Sequence, residues 1–113
     1  MVPGNYEYGN QYRGDTVVSP SMTFTSNGQP IDLTGATIKC QFRQPFNGKT
    51  ILELTTSSGI TVDTPTSGVI QLANFVPTWD PGIYLYDIEF TFPSGIIKTY
   101  LKGTINIVSD QTI

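Results

Sequence analysis

No histidine occurs in this 113-residue chain, and cysteine occurs once, as Cys40. The first absence removes the usual general base near neutral pH, the commonest zinc ligand and the Ser-His or Cys-His nucleophile. The second excludes an intrachain disulfide and leaves no sign of a metal cluster. Charge is also sparse. Charged residues make up 13% of the chain, six basic against nine acidic, and the net charge of −3 is spread without a basic stripe. Neutralising a phosphate backbone needs such a stripe, so a nucleic-acid partner is not expected. No apolar run approaches the roughly 20 residues that cross a bilayer, and no membrane partner is expected either. The opening MVPGNYEYGNQYRGD lacks the cationic head and apolar run of a signal peptide, which predicts a soluble chain made in the cytoplasm.

What remains is rich in Thr, Ser, Gly, Pro, Val, Ile and Tyr, with apolar residues recurring at period two and turn residues every eight to twelve positions. That pattern predicts an all-β domain. A chain of this length buries about two-thirds of its unfolded surface and needs no staple. Residues 1–15, polar and Gly-rich, read as an N-terminal arm outside the sheets, and residues 16–113 as one β-sandwich domain. Seven antiparallel strands are expected. The first runs over 16–25 with Val18, Met22 and Phe24 on one face, ending at an Asn27-Gly28 turn. The second alternates most cleanly, Ala36, Ile38, Cys40 and Phe42 against Thr37, Lys39, Gln41 and Arg43. The others cover 51–55, 60–62, 69–73, 82–92 and 96–108.

The last two strands set the register. A two-residue loop, Ser94-Gly95, places Ile88 opposite Leu101, Asp87 opposite Lys102 and Phe90 opposite Thr99, with every charge on one side. A three-residue loop beginning at Pro93 slips the pairing by one and sets Phe90 against Lys98, mixing core with solvent. The first register is the expected one.

The only feature that suggests acid chemistry is Asp87 with Glu89. On a strand they lie about 7 Å apart. A glycosidase pair needs a separation of that order, but it also needs a desolvated acid and loops long enough for a cleft, and neither is visible. The expected role is ordinary cross-strand charge pairing. Cys40 falls on the core face, where a thiol acts as a small hydrophobe. Asp63, Asp80 and Asp110 lack the spacing of a calcium loop, and no Gly-rich segment opens a helix to hold phosphate. No catalytic residue, cofactor or metal is expected, and the protein is expected not to be an enzyme.

The run Asp80-Pro81-Gly82-Ile83-Tyr84-Leu85-Tyr86 resembles the D-x-G-x-Y-x-C opening of strand F in immunoglobulin domains. The resemblance implies that Tyr84 forms a tyrosine corner, its hydroxyl bonding back to nearby backbone. Tyr86 stands where the family has its second disulfide cysteine, so the implied fold is a seven-stranded Ig-like sandwich without a disulfide. Cys40 is then placed on a B-like strand and residues 51–55 on strand C, where the family's buried Trp is missing.

Residues 28–108 are similar to small β-sandwich modules of tailed bacteriophages, including the N-terminal modules of baseplate upper proteins. The stretches GQPIDLTGATIKCQFR, TSGVIQL and PGIYLYDIEFTFPSGIIKTYLKGTINIV carry the likeness. It implies a non-enzymatic virion component of the tail, baseplate or head-neck region, present in multiple copies and partnered by other virion proteins and by itself. It supplies no catalytic residues. Contact candidates are Tyr6, Tyr8 and Tyr12 on the arm and Phe46 in the turn PFNG, because aromatics anchor interfaces. Phe75 and Trp79 before strand F serve either as contacts or as a plug for the end of the sandwich. A carbohydrate-binding or host-attachment module is the alternative function, with Trp79 and a nearby Tyr as an exposed platform; a capsid decoration protein is a further one.

Overall fold

The computed structural model describes residues 4–109. Its strands are β1 (Gly4–Asn5), β2 (Gly9–Tyr12), β3 (Ser21–Thr23), β4 (Thr25–Ser26), β5 (Gln29–Pro30), β6 (Thr37–Arg43), β7 (Thr50–Thr55), β8 (Ile60–Thr61), β9 (Val69–Leu72), β10 (Gly82–Thr91) and β11 (Ile97–Val108), with a single 3-10 turn at Pro65–Ser67. One sheet runs β1-β11-β10-β6-β7, with β2 also on β11; a second runs β3-β9-β8. Between them Met22, Phe24, Ile60, Ile70 and Leu72 of one layer meet Ile38, Phe42, Tyr86, Ile88, Phe90 and Ile105 of the other. The domain is an all-β, immunoglobulin-like sandwich, and its free Cys40 is buried.

The sheet order identifies the strands. Taking β10 and β11 as F and G, β6 becomes C and β7 becomes C′, while β3, β9 and β8 become B, E and D. Cys40 therefore sits on strand C rather than on a B-like strand, and residues 51–55 are C′. Where the family packs its Trp against a disulfide, Phe42 of β6 stacks on Tyr86 of β10 with centroids 5.1 Å apart.

The alternation of β6 and β10 dictates their burial. Ile38, Cys40 and Phe42 alternate inward from β6 and Tyr84, Tyr86, Ile88 and Phe90 from β10. The expected first strand is broken instead. Val17 pairs with Phe75 as an isolated bridge, and Pro20, which has no amide proton, precedes β3. The side-chain parity shifts at this break. Val17 and Ser19 point inward, Val18 is 71% exposed, and Met22 and Phe24 return to the core.

The β10–β11 hairpin contains both candidate registers. The Phe92 amide bonds to the Ile96 carbonyl across a three-residue loop, and Gly95 takes the left-handed conformation, φ 91°, that such a loop requires. Pairing begins Thr91 to Ile97, Phe90 to Lys98 and Glu89 to Thr99. Tyr100 is then the extra residue of a bulge, after which Ile88 faces Leu101 and Asp87 faces Lys102. The bulge returns the long remainder of the hairpin to the expected register.

The N-terminal segment departs most from expectation. Rather than lying outside the sheets, β1 and β2 extend the larger sheet along β11, and they do so in parallel. The sheet is therefore mixed. Gly103 of β11 makes the close approach possible, since a Cβ there would collide with the Tyr6 carbonyl.

Candidate functional site

The outer face of the larger sheet carries Lys39, Arg43, Glu53, Asp87, Glu89 and Lys102. Asp87 receives both Arg43 amino groups, at 2.9 and 3.3 Å, and Arg43 also donates to Gln41 over 2.6 Å. Glu89 lies 3.8 Å from Lys39. Asp87 thus meets an arginine of β6 on one side while Lys102 of β11 is its partner in register on the other. These are partly exposed cross-strand pairs of the kind that stabilises a sheet modestly. A shallow depression of about 590 Å³ runs past them, lined by Glu7, Arg43, Leu85, Asp87, Lys102 and Thr104 among others.

The Cys40 thiol is pushed up to about 12, first by burial and then by the Asp87 charge. It stays protonated near neutrality. Among the described residues, no group of three or more Cys, Asp or Glu is placed to hold a metal ion.

Tyr84 makes the back-bond of a tyrosine corner: its hydroxyl donates to the Asp80 carbonyl over 2.5 Å. Trp79, half-buried, lies stacked on Phe75 at 5.7 Å and edge-on to Tyr84 at 5.2 Å, with Phe42 behind it. It plugs the end of the sandwich and presents no platform with a neighbouring Tyr.

The remaining contact candidates separate. Phe46 is 81% exposed and Tyr12 51%, and Tyr6 is exposed at 37% with its ring edge-on to Tyr8. Tyr8 is a correction. It is only 6% exposed, its hydroxyl lies 3.1 Å from the Ser19 Oγ, and its ring packs against Phe42, Phe75 and Tyr86. Parallel pairing of the backbone on either side turns this one side chain between the layers. It serves the core and is not available to a partner.

Sequence reasoning passed over two exposed aliphatic residues of β10, one of which, Ile83, shares a depression with Phe46. On β10 the outward positions are Ile83, Leu85, Asp87 and Glu89, and the first two are exposed at 56% and 44%. Phe46, Pro45, Pro81 and Ile83 line one shallow depression at the end of the strand. The signal was present in the sequence: two aliphatic side chains on the wet phase of an alternating strand, continuing toward an exposed phenylalanine.

These features define the class as an immunoglobulin-like β-sandwich with an apolar outer patch. No family model and no curated protein matches the chain. Among solved structures it is similar to CopC from Methylosinus trichosporium OB3b, with 14% identity, coverage of 100% of this chain and 90% of that one, and a TM-score of 0.48. A likeness at that level carries no functional argument.

Proposed function

We propose that this chain is a non-enzymatic structural module of a tailed-phage particle, in the tail, baseplate or head-neck region, working through contacts with other virion proteins and with copies of itself. The observation that carries the reading is Ile83, with Phe46 in the same depression and Leu85 next along the same strand face, the three exposed at 56%, 81% and 44%. Apolar side chains grouped in this way on a polar sheet face are the usual mark of a contact surface. The likeness of residues 28–108 to phage sandwich modules supplies the setting. The charged residues of the same face support the reading as well, because Asp87 and Glu89 are engaged by Arg43 and Lys39 instead of being held dry as a general acid would be.

The test is mass spectrometry of particles purified from the phage that encodes the chain. Its peptides are expected at the abundance of a repeated component, and their absence would overturn the proposal. The carbohydrate reading receives no comparable support, since the flat face of Trp79 is covered by Phe75.

A further inference from the structure

We propose that residues 4–12 form an exchangeable strand, which seats on β11 of a second copy of this chain when copies assemble, with residues 13–16 as the hinge. The inference rests on the reading of the protein as a repeated part and goes beyond it by naming the segment, its seat and its occupant.

The seat is shaped for this segment. Gly103 leaves the notch through which the Tyr6 backbone passes, and the buried Tyr86 hydroxyl donates to the Tyr6 carbonyl over 2.5 Å. A socket formed by Ser19, Phe42, Phe75 and Tyr86 takes the Tyr8 ring. Along the main chain, the amides of Tyr6 and Tyr8 donate to the Lys102 and Thr104 carbonyls over 3.4 and 3.1 Å, and the Thr104 amide donates to the Glu7 side-chain carboxylate over 2.9 Å. Each of these contacts joins the segment to the body of the domain. Every one would form equally well with the body of another copy.

Topology allows the transfer. Among the described strands the segment pairs with β11 alone, at the edge of the sheet, so it can leave without opening another ladder. Vacating the seat, however, strands the Tyr86 hydroxyl, empties the Tyr8 socket and bares the β11 edge. Some copy of the segment is therefore strongly favoured in the seat, and which copy supplies it is decided by proximity and by the hinge. Residues 12–16 are all exposed, and the chain there reverses in a short turn with the Asp15 amide on the Tyr12 carbonyl at 3.1 Å and Gly14 at φ 91°. The bonds that opening this hinge must release are few and lie at the surface: the Arg13 amide to Val108, the Gly14 amide to Pro77 and the Arg13 guanidinium to the Thr78 carbonyl. A short surface hinge beside a separable edge element is an arrangement that favours strand exchange.

The pair Asn10 and Asn106 reports the state directly. They are partners in register, and Asn106 Nδ2 donates to Asn10 Oδ1 over 2.9 Å at the surface. In an N10C/N106C variant the cross-link closes within one chain when the segment is home and between two chains when it is exchanged. Copies carrying two tags of different size would be mixed, concentrated, partly unfolded and returned to native conditions, then oxidised and run on a non-reducing gel. The same variant would be oxidised in purified particles. A short bis-maleimide reads the pair if the disulfide does not form, and N10C alone is the control. Interchain species carrying both tags are expected. Intrachain links alone, in solution and in particles, would overturn the exchange. If size measurement nonetheless shows association, the proposed function stands without exchange; if copies neither associate nor enter particles, that reading fails as well.

Discussion

The Tyr86 hydroxyl donates to the main-chain carbonyl of Tyr6, eighty residues earlier, over 2.5 Å. This bond fastens the N-terminal segment to the long hairpin at the level where Gly103 lets the two backbones touch. It makes residues 4–12 part of the sandwich, and its consequences can be measured.

Replacing Gly103 with valine drives a side chain into the Tyr6 carbonyl and the Tyr86 ring. The segment must lift, and a loss of about 2–4 kcal/mol of unfolding free energy is expected from urea titration. Hydrogen exchange at the Tyr6 and Tyr8 amides should accelerate well before the core strands respond. Tyr86→Phe, which keeps the ring and removes one buried bond, should cost about 1–2 kcal/mol.

At the other end of β10, Tyr84→Phe removes the bond to the Asp80 carbonyl and leaves the packing against Trp79 in place. A loss of about 1–2 kcal/mol is expected, read as a shift in urea midpoint with unchanged slope. No change in midpoint would mean that the corner contributes nothing.

The pH dependence has a definite sign. Burial pushes Tyr8 from 10.0 and Cys40 from 9.0 each up to about 12, and it raises Tyr86 as well. Well below pH 9 all three are protonated in the folded and unfolded chain alike, so their contribution is fully present. Between roughly pH 9 and 12 the unfolded chain releases protons that the folded one retains, so stability falls as pH rises. Each such group adds a slope of at most about 1.4 kcal/mol per pH unit. In a C40A variant the onset of the fall should move from near pH 9 toward pH 10, as followed by chemical denaturation across alkaline buffers.

Much of the sandwich was legible because alternation is a local signal. The phases of β6 and β10 alone assign most of one inner layer, and the letters DLTG mark a turn in which Asp32 accepts from the Thr34 amide at 3.0 Å and its hydroxyl at 2.6 Å. What failed to show depends on partners distant in sequence or on a single irregular residue. Residues 4–12 have an arm's composition, and their place on the sheet depends on a glycine near the opposite end of the chain. Pro20 displaced the inward phase from Val18 to Val17 and Ser19. In the hairpin both registers occur because Tyr100 bulges, a feature that no pairing arithmetic with one constant sum can contain. Of the contact candidates, Phe46, Tyr12 and Tyr6 lie exposed, Trp79 is a plug, and Tyr8 is core. Ile83 and Leu85 were visible as breaks in the polar phase of β10.

Ile83→Asp with Leu85→Asp alters two exposed side chains and should leave thermal stability within about 0.5 kcal/mol per site. Incorporation into particles should fall to background, since an introduced carboxylate in a buried contact stays unpaired. A double variant that folds and still incorporates normally would remove this patch from the contact surface.

Locating the chain in a cryo-EM reconstruction of the intact particle tests the central claim most directly. Repeated copies are expected in the tail, baseplate or head-neck region, with Phe46, Ile83 and Leu85 covered by a neighbouring protein or copy. A particle without this chain, or one in which that face of every copy looks onto solvent, would contradict it.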